Sequence, residues 1–195
     1  VQTCALPISG EYATDVSDAS GMQLLDVPKR QWSDEILEIL EIDKDKLAKV
    51  YESPEITGKI KKSIALETGL KEGTIVVAGA GDNAAAAVGT GVVTDGSAFT
   101  TIGTSGVVYA HSSKVYIDPK GRVHTFCCAV PNSWHVMGVT QAAGLSLKWF
   151  KNNIYEGVNS TEKASYETIN KQIEEVEIGS EKLIYLPYLM GERTP

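Results

Sequence analysis

The sequence predicts an α/β fold, because a run of residues typical of a buried strand leads directly into a helical segment. Thr74–Gly79 is apolar and β-branched, and the alanine-rich segment Asn83–Gly89 follows it. Between residues 74 and 110 the only charged residues are Asp82 and Asp95, whereas seven of the 18 glycines fall there. A nearly uncharged, glycine-rich stretch suits a buried sheet with tight turns.

The first helix that local signals predict begins at Asp34. Ser33 can cap it, because a serine hydroxyl accepts the free backbone N–H groups of a helix start, and the acidic residues that follow favour the positive end of the helix dipole. Ile36, Leu37 and Leu40 have the spacing of one apolar helix face. We expect that face to be buried.

The other elements follow in chain order from similar signals. A second helix is predicted at Lys61–Leu70, with Gly69 near its C-terminus. Val123–Ala129 and Ser133–Val139 flank a Pro-Asn pair and are expected to form a hairpin. The remaining predicted strands are Ser97–Ile102, Val107–Ala110 and Lys182–Leu186, and the remaining predicted helices are Gln141–Asn153 and about 162–175. A hinge or domain boundary is expected around residues 90–100.

Composition argues against several classes of function. The 195 residues include 18 Lys and Arg against 25 Asp and Glu, which gives a net charge of −7. An acidic protein of this kind is not expected to bind nucleic acid or an anionic membrane. No apolar run approaches the roughly 20 residues that a membrane span needs. Three cysteines, two of them adjacent, cannot form a disulfide framework, so a cytoplasmic location is expected.

Both ends of the chain are predicted to be cut. Val1–Ile8 corresponds to the translation of a common sequencing-library adapter, so we expect an assembly artefact there rather than a divergent natural start. At the other end, Gly191–Pro195 stops without a helix or strand to close it. The sequence is therefore expected to be an internal fragment of a longer protein.

The first candidate site lies where the predicted apolar strand meets the alanine-rich helix. Gly79 and Gly81 would allow a ligand to approach the backbone, and Asp82 and Asn83 open the helix. Ligands of α/β sheets bind beyond the carboxyl ends of strands, where a carboxylate can accept a hydroxyl proton and an amide can bind a polyol. Asp82 could instead be a plain helix N-cap, and spacing alone somewhat favours that alternative. Ala84 stands where the dinucleotide fingerprint needs glycine.

Two further segments could bind a ligand through their backbone. Gly103-Thr104-Ser105-Gly106 lies between two predicted strands and could present N–H groups and hydroxyls to phosphate oxygens, or be an ordinary hairpin loop. No lysine follows it, so it is not a P-loop. Gly144 is one of the small residues that begin a predicted helix, where a ligand or another element could approach closely.

Histidines and cysteines do not indicate a metal site. His111, His124 and His135 lack the spacing of metal ligands. Cys127 and Cys128 lie in an apolar predicted strand, which favours buried hydrophobic side chains over redox chemistry. We therefore predict no metal-ligating residues in this chain.

Four segments in this order resemble the FGGY family of carbohydrate kinases, and among them the members that act on D-xylulose. They are Ala13–Gly21, Gly79–Ala85, Gly103–Gly106 and Leu186–Pro195. The resemblance implies a ribonuclease-H-like α/β fold of the actin and Hsp70 type, with parts of two domains present. Residues 9–95 would be the C-terminal part of the sugar-binding domain, and residues 96–195 the N-terminal part of the nucleotide-binding domain.

The resemblance also implies roles for individual residues. Asp82 would be the catalytic base that takes a proton from the primary hydroxyl of D-xylulose, and Asn83 would help to hold the sugar. The residues implied for ATP binding are Gly103, Thr104, Ser105, Gly106 and Gly144. Mg²⁺ is implied as the cofactor, but the family loop that mainly anchors it, Asp-x-Gly-Thr, does not occur here.

The chain alone is therefore expected to be inactive, within a full-length kinase that could be a homodimer. Two alternatives stay open at this point. One is a family member for another ketose or polyol, such as ribulose. The other is a non-catalytic actin-like ATPase or sugar-sensing module, which would not need the carboxylate of Asp82.

Overall fold

The computed structural model describes residues 8–155 and 165–194. Nearly all of the predicted adapter segment, and the first residues of the helix expected at about 162–175, lie outside the described residues. The strands are β1 (Ala13–Asp15), β2 (Leu25–Asp26), β3 (Gln31–Trp32), β4 (Lys49–Tyr51), β5 (Ile56–Lys59), β6 (Ile75–Val77), β7 (Ala98–Ile102), β8 (Gly106–Ser112), β9 (His124–Cys127) and β10 (Trp134–Thr140). The α-helices are α1 (Val16–Ser20), α2 (Asp34–Ile39), α3 (Lys62–Thr68), α4 (Asp82–Gly89), α5 (Gly144–Phe150) and α6 (Tyr166–Glu174).

These strands form several small sheets. β1 pairs with β4 in parallel, whereas β2 with β3 and β5 with β6 are antiparallel pairs. The largest sheet has the order β7–β8–β10–β9, and its β9–β10 hairpin places His135 opposite Phe126. None of the helices within the described ranges is both long and apolar enough to cross a membrane.

The residues group into two compact units. The first contains every described residue up to Phe99 together with Tyr109–Met137, and the second contains Thr100–Val108 and the residues from Gly138 onwards. The hairpin β9–β10 therefore contributes mainly to the first unit. The predicted division of domains after residue 95 concerns a longer protein and stays a prediction.

The core of the first unit joins α1 to the strands around it. Its larger buried cluster contains Val16, Ala19, Leu25, Trp32, Leu37 and Cys127. Arg30 adds hydrogen bonds between separate segments. Its guanidinium donates to both carboxylate oxygens of Glu52 (2.6 and 2.7 Å) and to the carbonyl of Ser133 (3.0 Å). A bidentate pair of this kind holds both side chains in one geometry. A second buried cluster joins Ala87 of α4, the helix that begins at Asp82, to Val92, Tyr109 and Cys128.

Local capping signals predicted helix ends well. Ser33 Oγ accepts the backbone N–H of Ile36 (3.3 Å) at the start of α2, as expected. Gly69 ends α3 in the left-handed conformation, with φ of +76°. The predicted face of α2 is only partly correct, since Leu37 is buried but Leu40 is 54% exposed.

Two strand predictions were wrong in part or in full. The run expected to be a fully buried strand forms only β6, whose Ile75 and Val77 are about half exposed, because β5 is its single partner among the described strands. Lys182–Leu186 forms no strand, and its apolar side chains are exposed. High β-propensity makes a strand only where a neighbouring strand supplies hydrogen bonds. None of the described segments supplies them to Lys182–Leu186.

Candidate active site

Asp82 is the first residue of α4, and Gly81 is the residue that caps the helix. The plain N-cap alternative for Asp82 is therefore wrong. Asp82 is exposed, and its Oδ1 accepts hydrogen bonds from the backbone N–H (2.7 Å) and the Nδ2 (3.2 Å) of Asn83. Within residues 8–155 and 165–194, Oδ2 has no hydrogen-bonding partner. One carboxylate oxygen is thus held by the neighbouring amide and the other is available to a ligand.

A small pocket of about 130 Å³ lies beside this carboxylate, entirely within the first unit. It is lined by Ser17, Asp18, Gly21, Gly81, Asp82, Asn83, Ala84, Phe126, His135 and Met137. A pocket of this size has room for several waters or part of a small polyol. Carboxylate, amide and hydroxyl groups share its wall with an aromatic ring, which is a composition suited to a sugar.

Sequence reasoning missed the hairpin side of this pocket. Phe126, His135 and Met137 project from β9 and β10, and the strand register places Phe126 directly opposite His135. The period-2 alternation of β10 could have shown that His135 and Met137 share a face. Nothing in the sequence indicated that this face borders Asp82, since the two segments are more than 50 residues apart.

His135 is almost completely buried and stacked against Tyr109, with 4.1 Å between the ring centroids. Cys128 Sγ lies 3.7 Å from its Nδ1, and its Nε2 has no partner among the described residues. Burial, and to a lesser extent the nearby His111, lowers the pKa of His135 from its ordinary value of 6.5 to about 4. The ring is therefore neutral in the folded protein at physiological pH.

Folding stability should consequently fall as the pH drops from 6.5 towards 4. In that range His135 is protonated in the unfolded chain but neutral in the folded one. The free energy of unfolding is therefore at its full value above pH 6.5 and decreases progressively below it. The loss can reach roughly 3 kcal/mol for this residue. We expect His135→Phe, which keeps the stacked ring and removes the titration, to flatten the dependence.

Urea unfolding of both proteins at pH 7.5 and 5.0 measures this effect. His124→Phe, at a less buried histidine of the same hairpin, is the matched control. An equal loss of stability in wild type and His135→Phe would contradict the assignment to His135.

The second candidate site is the turn Gly103–Gly106 between β7 and β8, in the second unit. The backbone N–H of Gly103 donates to the carbonyl of Ser105 (2.8 Å), and Ser105 Oγ donates to the carbonyl of Gln141 (3.1 Å). Thr104 is exposed, and its hydroxyl bonds to none of the described residues. Of the turn's two hydroxyls, only that of Thr104 is free for a ligand.

Gly144 packs directly against this turn. Its N–H donates to the carbonyl of Gly103 (2.9 Å), and Thr104 O accepts the N–H groups of Ala143 (2.9 Å) and Leu145 (3.3 Å). A Cβ added to Gly144 would lie only 2.5 Å from the carbonyl oxygen of Gly103. The element that approaches Gly144 closely, as the sequence predicted, is therefore the turn Gly103–Gly106. The two candidate ATP-binding segments thus lie in contact with each other.

The segment near the C-terminus bonds to the end of β10 and to Gln141, the residue that Ser105 contacts. Glu192 Oε1 accepts the N–H of Gln141 (2.7 Å) and its Oε2 accepts the hydroxyl of Thr140 (2.8 Å). Thr194 exchanges two hydrogen bonds with the backbone of Val139 (2.6 and 2.9 Å). Burial alone would raise the pKa of Glu192, but hydrogen bonds from Thr140, Arg193 and Gln141 hold it below its usual value. The resemblance covered this segment without assigning it a role.

The cysteine prediction agrees with the described structure. Cys127 and Cys128 are free thiols, fully buried, and burial raises the pKa of each. Such thiols have little thiolate character, so they serve as packing residues. Across the described ranges no group of three His, Cys, Asp or Glu side chains could hold a metal ion.

Comparisons with known proteins identify the family. Residues 5–89 match the N-terminal domain of the FGGY family of carbohydrate kinases. The chain is 41% identical to the xylulose kinase of Lactococcus lactis over 191 residues and 39% identical to that of Escherichia coli over 190 residues. These matches cover 98% and 97% of the chain, whereas the chain spans 37% and 38% of the two relatives.

The fold agrees with the same assignment. A crystal structure of a xyloylose kinase from Brucella ovis superposes with a TM-score of 0.86 at 36% identity. The superposition covers all of this chain and 38% of that one. The ribonuclease-H-like fold of the actin and Hsp70 type that the resemblance implied is therefore confirmed. The chain belongs to the FGGY family of carbohydrate kinases.

Proposed function

We propose that this chain is part of a kinase that transfers a phosphoryl group from ATP to D-xylulose, giving D-xylulose 5-phosphate. The observation that carries the proposal is the free Oδ2 of Asp82 at the wall of the small pocket in the first unit. The two relatives from Lactococcus lactis and Escherichia coli support the choice of sugar, since both are xylulose kinases.

In the proposed reaction Asp82 acts as the general base. Its carboxylate accepts the proton of the primary hydroxyl of the sugar as the new O5–P bond forms and the bond between the β- and γ-phosphates breaks, releasing ADP. Asn83 fixes the position of the carboxylate through two hydrogen bonds and adds an amide for the sugar hydroxyls. A base that is held in place supplies proton transfer without reorganisation.

On the nucleotide side, we assign ATP to the turn Gly103–Gly106 and to the start of α5 at Gly144. Thr104 would donate its free hydroxyl to the γ-phosphate, while Gly103, Ser105 and Gly144 hold the turn in shape. When Mg²⁺ is bound to ATP it neutralises charge on the phosphates. The described residues form no cluster that fits this ion, so none of them is assigned to it.

The proposal extends to the longer protein. We place residues 9–95 in its sugar-binding domain and residues 96–195 in its nucleotide-binding domain, and the end of the family match at residue 89 supports that division. We further propose a cytoplasmic enzyme that can form a homodimer, which light scattering of the purified full-length protein would test.

A substrate panel tests the proposed function. The full-length protein should form ADP with D-xylulose faster than with D-ribulose or glycerol, and the 195-residue chain alone should form none. Faster turnover with ribulose or a polyol would assign the enzyme to the alternative substrate class. ATP binding without sugar-dependent turnover would favour the non-catalytic module, and turnover by the chain alone would overturn its expected inactivity.

A further inference from the structure

We propose that Ser17 is a positioning residue for Asp82, through a buried hydrogen-bond chain that runs from Asp15 to the backbone N–H of Gly81. The inference rests on the proposed role of Asp82 as the base, and it adds a structural reason for where that base stands. Ser17, Gly81 and Asp82 all belong to the first unit and line the same pocket.

The chain begins at a carboxylate in the interior. Asp15 is 2% exposed, and its Oδ2 accepts the N–H of Ser17 (2.8 Å), the hydroxyl of Ser17 (2.5 Å) and the hydroxyl of Ser53 (2.6 Å). Its Oδ1 accepts the N–H of Asp18 (3.1 Å). Buried polar groups need hydrogen-bonding partners, and four donors meet that need at Asp15. The side chain of Asp15 is therefore held in one position.

The direction of the Ser17 hydroxyl follows from this arrangement. A serine hydroxyl has one proton, and a carboxylate can only accept, so the proton of Ser17 is committed to Asp15. The lone pairs of Ser17 Oγ are left to accept a hydrogen bond, and the N–H of Gly81 donates one at 2.9 Å. A hydroxyl that rotates freely in solution is thus locked as an acceptor.

The N–H of Gly81 is at a point where the helix itself offers no partner. Gly81 caps α4 and has no side chain with which to bond the free amides at the helix start. Asp18 lies close by, since a Cβ added to Gly81 would be 3.5 Å from the Cα of Asp18, which is an ordinary van der Waals distance. Ser17 therefore fixes the peptide group between Ala80 and Gly81, one residue before Asp82, and this restrains the position of the carboxylate.

Ser20 provides a matched comparison on the same helix. Ser17 and Ser20 are both buried in α1, and Ser20 Oγ also accepts a backbone N–H from another element, that of Cys127 (3.0 Å). Ser20→Ala therefore removes an equivalent hydroxyl and leaves a buried amide unsatisfied, but it leaves the Gly81 amide untouched. The two alanine variants should have similar costs in stability and different effects on the reaction.

The test compares these variants in the full-length kinase. Ser17→Ala should lower kcat with D-xylulose by about 10- to 100-fold with little change in the KM for ATP, because a small displacement of a reacting group can cost that much. Ser20→Ala should stay within about twofold of wild type. Ser17→Thr, which keeps the hydroxyl, should recover most of the lost kcat. Equal effects of Ser17→Ala and Ser20→Ala on kcat would overturn the proposal.

A second readout does not depend on turnover. Amide hydrogen exchange at residues 81–83 should accelerate at least about tenfold in Ser17→Ala and remain unchanged in Ser20→Ala, because only the first variant removes the acceptor of the Gly81 N–H. If no variant phosphorylates any sugar, the proposed function fails while this measurement still decides the hydrogen-bond chain. Unchanged exchange in Ser17→Ala would show that Ser17 does not hold the turn.

Discussion

Asp82→Asn in the full-length protein should lower kcat for D-xylulose by roughly 10²- to 10⁴-fold, the usual contribution of a general base. Asparagine keeps the shape of the side chain and can still contact Asn83, but it cannot accept the proton of the sugar hydroxyl. Nucleotide affinity should be largely spared, because the candidate ATP residues form their own hydrogen-bonded group around Gly103 and Gly144. Steady-state kinetics with ADP detection and nucleotide titration measure the two effects separately.

Asp34→Asn is the matched control for this experiment. Asp34, like Asp82, is an exposed carboxylate at the first position of a helix, but it forms an ion pair with Lys44 (2.6 Å) and lines no part of the candidate pocket. The same loss of charge there should leave kcat unchanged. If Asp82→Asn keeps more than about a tenth of wild-type turnover, Asp82 is not the base.

Gly144→Ala should have the second largest effect, on the nucleotide side. The added Cβ would lie 2.5 Å from the carbonyl oxygen of Gly103, and this neighbour is backbone, so it cannot rotate away. Relieving the overlap must displace the turn that carries Thr104, at a cost of about 1–3 kcal/mol in stability. We expect kcat/KM for ATP to fall by about 100-fold, since the turn's geometry is what the phosphate needs.

Gly138→Ala separates this effect from a general cost of substituting glycine. Gly138 lies on β10 in the same unit, and a Cβ there would meet nothing within 4 Å. Its variant should retain the ATP kinetics of the wild type. Similar losses in both variants, or a Gly144→Ala protein with unchanged kcat/KM for ATP, would contradict the assigned role of Gly144.

Features set by short-range chemistry were predicted well. The cap at Ser33, the left-handed Gly69 and the hairpin of β9 and β10 each depend on a few neighbouring residues, and the structure contains all three. Asp82 and Gly144 were located by the same kind of local reasoning, supported by a family resemblance. Their roles toward a ligand stay predictions.

Features set by distant partners were not predictable from the same signals. The exposure of Ile75 depends on which strands flank β6, and the unformed strand at Lys182–Leu186 depends on the lack of a partner among the described residues. The bond from Ser17 to the Gly81 amide joins positions 64 residues apart, and no periodicity or motif connects them. A residue that positions a catalytic residue without contacting the ligand has no sequence motif by which it could be recognised.

The hydrogen bonds of Glu192 and Thr194 also set an order of assembly. They join positions 52 and 55 residues apart in the chain, so their formation must first close a long loop, and the entropy of that closure delays such contacts relative to local ones. The bonds of this segment to Val139, Thr140 and Gln141 therefore form late in folding. During synthesis they must wait until residue 194 has left the ribosome, by which time the helices α1 to α6 have already been made.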